Sequence, residues 1–579
     1  MNKFKFGKKI KKGFRLKHFL INSDERFKLG FIGIIVGVTS SLAAVGLTKG
    51  LGFFHHFFGQ IENPLITIFL PAIGLLLTVI LLKYVINDFG GHGLPEVIHS
   101  ISLKGGIIKF RSAYSKLLGS LITISFGGSA GPEAPIVVSG AAIGSNVARL
   151  FRANEKIRIA VAGSGAAAAI ASIFNAPIAG IIFTMEVIIG EWTPIFLLPI
   201  VIASVTGTEI SRLLNGNQIQ FSHELIKVNV NDIFLSVFLA LVCAFFSILF
   251  IRTVRNSSKF MDKYFKNILI KALVGGLIIG LISLNIPYVK GEGYKFVQDI
   301  ITGHFTNGLL FVLLIIVLKI VATSITLGAG GSGGVFAPSL VIGSSTGLFF
   351  YMAIRSLFPE LAINEAALYA LVGMAGVLSG TLNAPLTGMF LIIEISNGYD
   401  AILPLMLVSF LTSAIVKQFE PHSIYHYELV KKGHLHRPRT DGKILAEISP
   451  RELLEKDLSI VYPDILLSDL IPKIKKSNRN YFPVVDRESG NLLGMVYFND
   501  IKDFIFDNTL INSILVEEVM HTDLTTISTS DSLTDIQKKF EQTNSWSLPV
   551  VENQKYKGLI SKATMLDLYR KELKVQTEI

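Results

Sequence analysis

Between residues 29 and 419 the chain runs through about fourteen apolar tracts, many interrupted by Gly or Pro. Several are shorter than the roughly 20 residues that a helix needs to cross a bilayer perpendicularly. This pattern predicts membrane helices, some of them broken or re-entrant. Non-helical backbone at membrane depth is tolerated only where it lines a cavity or is packed in protein, so broken helices point to a transport site. The first tract, FIGIIVGVTSSLAAVGLTKGLGFF after Lys28, is longer than a signal-peptide core and shows no clear cleavage site, so it reads as a retained first membrane helix. Charge is scarcest further in: between Lys116 and Arg149 the only charged residue is Glu133, and residues 320–354 carry none. After Tyr427 the pattern changes. LVKKGHLHRPRTDGK is a charged linker, and beyond it short β-rich runs alternate with amphipathic stretches.

Both parts contain internal repeats. FNAPIAGIIFTMEVI (174–188) resembles LNAPLTGMFLIIEIS (382–396), with Asn175 and Asn383 separated by 208 positions. Upstream of each copy lies a Gly-rich turn ending in Ala-Pro, GSAGPEAPIVVSG (128–140) and GSGGVFAPSLVIG (331–343), with Pro135 and Pro338 separated by 203. Two halves of about 200 residues with glycine-broken segments at matching places are the signature of a transporter whose site lies at the repeat interface. In the tail, YFPVVDRESGNLLGMVYFNDI (481–501) parallels SLPVVENQKYKGLISKATML (547–566), with Pro483 and Pro549 separated by 66. Each copy reads as a buried strand, a turn, a second strand and a helix.

Charge refines this picture. Only 17% of the 579 residues are charged, too few for an ordinary soluble protein. Residues 431–579 hold 43 of these charges and are nearly neutral, whereas residues 1–28 contribute +8 to the total of +11. The excess is therefore one cluster beside the first apolar span. It predicts a cytoplasmic N-terminus in contact with anionic lipid or water, and no nucleic-acid partner. The single cysteine, Cys243, excludes a disulfide framework.

Glu133 lies in G-P-E-A-P, between two prolines. An intramembrane carboxylate is costly and marks a functional site unless a neighbouring helix pairs with it. Glycines around it prepare exposed backbone N–H groups at a helix start, which attract either an anion or the Glu133 carboxylate itself. The second turn, GSGGVFAP, offers N–H groups at Val335 and Phe336 where a helix begins. A third turn, GGHGLPEV (90–97), follows the same logic, with Gly93 before a helix opened by Pro95 and His92 either an anion donor or a polar residue at the water boundary.

The ordered motifs GHGLPEV, GPEAP, GGVFAP and SIY (423–425), with the two NAP repeats between them, resemble the CLC chloride channels and proton-coupled chloride exchangers, including members with a C-terminal pair of CBS domains. The resemblance covers residues 29–579. It implies an all-α polytopic membrane protein with two inverted repeats and re-entrant helices, followed by an α/β CBS pair. It further implies a gating glutamate at Glu133, an anion site formed by His92, Gly93, the Val335 and Phe336 amides and the Tyr425 hydroxyl, and a homodimer in the inner or plasma membrane. The expected substrates are chloride or a similar small anion, with protons if the chain is an exchanger. No cofactor is required and no enzymatic activity is implied.

Departures from the family pattern bear on mechanism. His92 replaces the family's serine, which affects anion selectivity. Pro132 and Ala134 flank Glu133 where the family has a basic residue and glycine. Val187 occupies the position of the second of two adjacent glutamates in proton-coupled members, which favours a channel or another proton route, and Glu186 and its mate Glu394 read as structural. In the CBS pair, the usual Gly-x-x-Thr-x-x-Asp becomes Gly494, Tyr497 and Asp500 in the first copy and Gly558, Ser561 and Thr564 in the second. An adenine nucleotide held by Asp500, Ser561 and Thr564 and a purely structural module both fit this half-kept pattern. The expected divisions are residues 1–28, a membrane part over 29–430 with repeats at about 29–215 and 230–430, a linker over 431–450, and CBS copies over 451–513 and 514–579. A magnesium-type cation transporter with CBS domains is the alternative, but the membrane part lacks clustered acidic residues. An intramembrane metalloprotease would need His-Glu-x-x-His, and the nearest string, starting at His223, ends in Lys227.

Overall fold

The computed structural model describes residues 25–577 except 62, 89–92, 218–219, 222–227, 432–447, 456–459, 478 and 506. His92, most of the basic N-terminal segment and the string from His223 to Lys227 lie outside the described residues. The chain forms two compact units, Met1–Leu435 and His436–Ile579.

The first unit is helical and repeats itself element by element. Its first half comprises α1 (Glu25–Gly59), α2 (Pro64–Ile80), α3 (Leu94–Leu103), α4 (Ser112–Ser125), α5 (Glu133–Leu150), α6 (Glu155–Phe174), α7 (Pro177–Phe183) and α8 (Pro194–Asn215). The second half follows the same order with α9 (Val230–Tyr264), α10 (Ile268–Asn285), α11 (Tyr294–Ile301), α12 (Leu309–Gly328), α13 (Phe336–Leu357), α14 (Ala366–Leu382), α15 (Pro385–Ser396) and α16 (Ile402–Phe419). Helices α1 and α9 are each 35 residues long. Local signals repeat with them: Asn63 caps α2 by accepting from Leu65 N–H at 3.0 Å, and Asn267 caps α10 by accepting from Leu269 N–H at 2.9 Å. Asn175 and Asn383 end α6 and α14 in the left-handed conformation, with φ of 55° each, a conformation Asn tolerates better than most residues. Nine helices among the described residues are long and apolar enough to cross a membrane, making this an integral membrane protein.

Reciprocal hydrogen bonds mark the local twofold axis between the halves. Gly131 N–H donates to Gly334 O (2.9 Å) and Gly334 N–H to Gly131 O (2.7 Å). Ser129 N–H donates to Thr326 Oγ1 and Ser332 N–H to Thr123 Oγ1, both at 3.0 Å. Every member of these pairs is related to its counterpart by 203 positions, the spacing of the two Ala-Pro turns. Helix crossings repeat too, at spacings of 203 and 208: α5 meets α6 at Gly140 and Gly165, and α13 meets α14 at Gly343 and Gly373, so closely that a Cβ at any of them would overlap the facing backbone. In a bilayer, where lipid tails are as apolar as side chains, such small-residue contacts replace the hydrophobic drive that joins helices in water.

A short helix, α17 (Tyr427–Lys431), closes the first unit. The second unit comprises α18 (Leu467–Lys476), β1 (Tyr481–Val485), β2 (Leu492–Tyr497), α19 (Phe498–Ile505), α20 (Leu533–Thr543), β3 (Ser547–Glu552), β4 (Lys555–Ser561) and α21 (Lys562–Thr577), with two one-turn helices between α19 and α20. Strands β1 and β2 pair antiparallel with Pro483 opposite Met495, and β3 and β4 do so with Pro549 opposite Leu559. Val461 bridges Val484 in parallel and Ile527 bridges Val550, again 66 positions on. Each copy has its own core, around Phe482, Val484 and Leu470 in one and Leu548, Val550 and Ile536 in the other.

Candidate functional site

Glu133 is the first residue of α5 and its side chain is 1% exposed. The carboxylate turns back over Gly131 and across the twofold axis. There Oε2 accepts from the Ala337 N–H at 3.4 Å in the first turn of α13, and Oε1 accepts from the Tyr294 hydroxyl at the start of α11. Gly131 is required because a Cβ there would collide with the carboxylate. Glu133 is thus bound at the opposing helix start, where unsatisfied amides and the positive end of the helix dipole favour a negative charge. The same groups would favour a small anion once the carboxylate withdrew.

Most of the residues expected from the sequence converge here. Val335 caps α13, Phe336 is its first residue, and the Tyr425 hydroxyl lies against the Val335 backbone N–H within Coulombic reach of Glu133. Tyr425 is 1% exposed, on a turn closed by a 2.7 Å hydrogen bond between Ser423 Oγ and His426 Nδ1. Gly93, with φ of 72°, caps α3 and packs against Val138 of α5 and Lys116 of α4. The amide that engages Glu133 belongs to Ala337, one residue beyond the expected pair, because the carboxylate reaches into the first turn and past the capping position. Phe336 contributes its ring, which packs 5.4 Å from that of Phe174 and 6.1 Å from that of Phe183. Phe174 and Phe221 in turn pack on Tyr294, with ring centroids 6.5 and 5.7 Å away, giving the carboxylate an aromatic wall. Sequence reasoning missed Tyr294. The signal was present in GEGYKFV (291–297), which matches GHGLPEV at a spacing of 200.

Glu186 and Glu394 are both occupied structurally. Glu186 accepts from the Leu386 and Thr387 N–H groups at 3.2 and 2.8 Å and from the Thr387 hydroxyl at 2.7 Å. Glu394 accepts from Ile178 and Ala179 N–H at 3.0 and 2.6 Å. Val187, beside Glu186 in the π-helical turn Thr184–Ile189, is buried. Among the described residues no group of three or more His, Cys, Asp or Glu is arranged to hold a metal ion.

In the second unit, Asp500 pairs with His521 at 2.9 Å. Ser561 donates to Glu455 Oε1 at 2.7 Å, Thr564 donates to the same oxygen, and Arg479 pairs with Oε2 at 2.8 Å. Glu455 is fixed there because its backbone pairs with Leu559 of β4. Asp500 is not part of this group, so the three residues expected to hold a nucleotide fall into two separate hydrogen-bonding sets.

The chain matches the family model described as voltage gated chloride channel over residues 73–417 and the CBS domain model over residues 451–507 and 516–571. It is 27% identical over 421 residues to the H(+)/Cl(−) exchange transporter ClcA of Vibrio cholerae, a match that covers 68% of this chain and 87% of the relative. The fold resembles that of a slow cyanobacterial Cl−/H+ antiporter, with a TM-score of 0.63 at 23% identity, over 71% of this chain and 99% of the other. A CLC-type fluoride/proton antiporter gives a TM-score of 0.60 at 25% identity, over 70% and 98%. With the paired halves, the facing helix starts and the carboxylate between them, these matches make the chain a member of the voltage gated chloride channel (CLC) family with a C-terminal pair of CBS domains.

Proposed function

We propose that this CLC-type anion transporter exchanges chloride for protons, with Glu133 as the group that alternates between the two. The supporting observation is that the carboxylate takes an amide hydrogen bond at the start of α13 and a hydroxyl hydrogen bond from Tyr294, both donors that an anion would use. When Glu133 is ionised it competes with chloride for them. When it is protonated it loses its attraction for the amide and the helix dipole, leaves, and an anion takes its place. In this reading the Val335 amide, the Tyr425 hydroxyl and the α3 start at Gly93, with His92 beside it, serve the next anion position along the path. Backbone amides favour anions without a full positive charge, so binding stays weak enough for release.

Two chains assemble as a homodimer, and the N-terminal segment and the CBS pair face the cytoplasm. An adenine nucleotide is the ligand we assign to the CBS pair. Glu455 with Ser561 and Thr564 is the kind of set that accepts ribose hydroxyls, and Arg479 supplies positive charge for a phosphate.

Passive conduction is the second reading, favoured by the buried apolar Val187 where exchangers of the family carry a second glutamate. Purified protein in liposomes separates the two. An imposed chloride gradient should drive protons uphill; chloride flux without uphill proton movement would replace exchange by conduction.

A further inference from the structure

The turn that carries Tyr294 is the repeat mate of the one that carries His92 and Gly93. Gly91, Gly93 and Val97 recur as Gly291, Gly293 and Val297, and both Gly93 (φ 72°) and Gly293 (φ 87°) cap the short helix that follows. Each turn rests on a buried lysine, Lys116 beneath Gly93 and Lys319 beneath Gly293, and these too are 203 positions apart. Lys319 Nζ donates to the carbonyls of Val289 and Gly291 at 3.1 and 3.0 Å, fixing the second turn. The two halves therefore carry turns built on one plan, each with a helix-capping glycine over a buried lysine, but the sequence furnishes them differently. Where the first has His92 and Leu94, the second has Glu292 and Tyr294.

Tyr294 and Glu292 both line a cavity of about 580 Å³ that also touches His55, Lys290, Lys295 and Asp299. On its inner side the Tyr294 hydroxyl holds Glu133. The Glu292 carboxylate makes no hydrogen bond to another described residue, so water in the cavity is its natural partner. The charged groups around Glu292 are Lys319 from α12 and Glu133 from α5, both within Coulombic reach. His55 from the last turns of α1 and Lys290 on the same loop share the cavity with it.

We propose that Tyr294 and Glu292 are the proton-handling pair of this cavity: Tyr294 latches Glu133 in place and relays a proton to it, and Glu292 exchanges that proton with cavity water. In the relay the Tyr294 O–H proton passes to Glu133 Oε1 while the tyrosine oxygen takes a proton from a cavity water that the Glu292 carboxyl has protonated. Tyrosine ends neutral, Glu292 ends ionised, and protonated Glu133 is free to leave the Ala337 amide. The inference rests on Glu133 being the proton-carrying group, as proposed above.

The test is the full-length protein in proteoliposomes, with chloride and proton fluxes measured together as the pH on one side is varied. Tyr294→Phe keeps the ring packed between Phe174 and Phe221 but removes the latch. Chloride flux at high pH, where wild-type Glu133 is closed, should rise about threefold or more. Glu292→Gln should lower proton flux at least fivefold and flatten the pH profile of chloride flux, and Glu292→Asp should restore the profile. Chloride flux carries its own pH dependence, so the profile reads the latch even if the wild type moves no protons uphill. That last result would remove exchange while leaving the latch to stand or fall on Tyr294→Phe. PH profiles of both variants that overlay the wild type would overturn the inference.

Discussion

Glu186 and Glu394, 208 residues apart in sequence, each reach into the other's helix. The Glu186 carboxylate takes the Leu386 and Thr387 amides that open α15, and the Glu394 carboxylate takes the Ile178 and Ala179 amides that open α7. The arrangement is a mutual cap. Each short helix begins with donors that have no partner within the helix, and each supplies the other's missing acceptor from its far end.

Removing either carboxylate leaves two helix-start amides without an acceptor in a region where water is scarce. Glu186→Ala and Glu394→Ala should each cost roughly 2 kcal/mol of stability, and the Gln variants less, because an amide oxygen still accepts. Thermal unfolding of the detergent-solubilised protein reads this directly. An unchanged midpoint in both Ala variants would refute the mutual cap.

Glu133→Gln keeps the size of the side chain and its ability to accept from Ala337, but it abolishes titration. Proton movement driven by a chloride gradient should disappear and chloride flux should lose its dependence on pH, while flux itself persists. A variant that still pumps protons would show that another group carries them.

Loss of the Tyr425 hydroxyl removes the polar group that sits beside the Val335 amide without disturbing the packed ring. Tyr425→Phe should weaken anion binding by about tenfold, in proportion to one hydrogen bond to a charged partner. Isothermal titration with chloride measures it, and full wild-type affinity would place the central anion elsewhere.

Gly165 and Gly347 lie where two backbones touch, and a Cβ at either would overlap the facing chain. Gly165→Leu and Gly347→Val should give no folded, monodisperse protein. Gly46, which has nothing within 4 Å of where a Cβ would stand, is the contrast: Gly46→Ala should be tolerated. Size-exclusion profiles of the three variants separate close approach from a general dislike of substitution.

In the CBS pair, Glu455→Ala removes the acceptor shared by Ser561 and Thr564. Adenine nucleotide binding, measured by titration calorimetry on the full chain, should weaken by about tenfold or more if the carboxylate takes ribose hydroxyls. Tighter binding would instead mean that Glu455 occupies the ligand's place and repels its phosphates.

Much of the fold could be read from local pattern. Asn63, Asn267, Asn175 and Asn383 mark helix ends because the capping or left-handed geometry is a property of the residue and its immediate neighbours. The Gly-rich turns before Glu133 and Phe336 announced helix starts with bare amides for the same reason. The 208, 203 and 66 residue spacings exposed both duplications. The match between GHGLPEV and GEGYKFV was harder to see, because only the two glycines and a valine survive and the chemistry between them has diverged.

By itself, then, the sequence determined a charge-poor membrane body made of two related halves, a lone carboxylate at a helix start, and a polar tail of two small modules. Only the tertiary structure decided that Glu133 is held by Ala337 and by Tyr294, 204 and 161 positions away, that Glu186 and Glu394 cap one another, and that Asp500 stands apart from Ser561 and Thr564. The physical reason is the range of the interactions. Helix starts, caps and turns are settled by a few consecutive residues. The partner of a buried carboxylate is chosen by where the twofold packing of two half-chains brings distant amides and hydroxyls, and no short window of sequence contains that information.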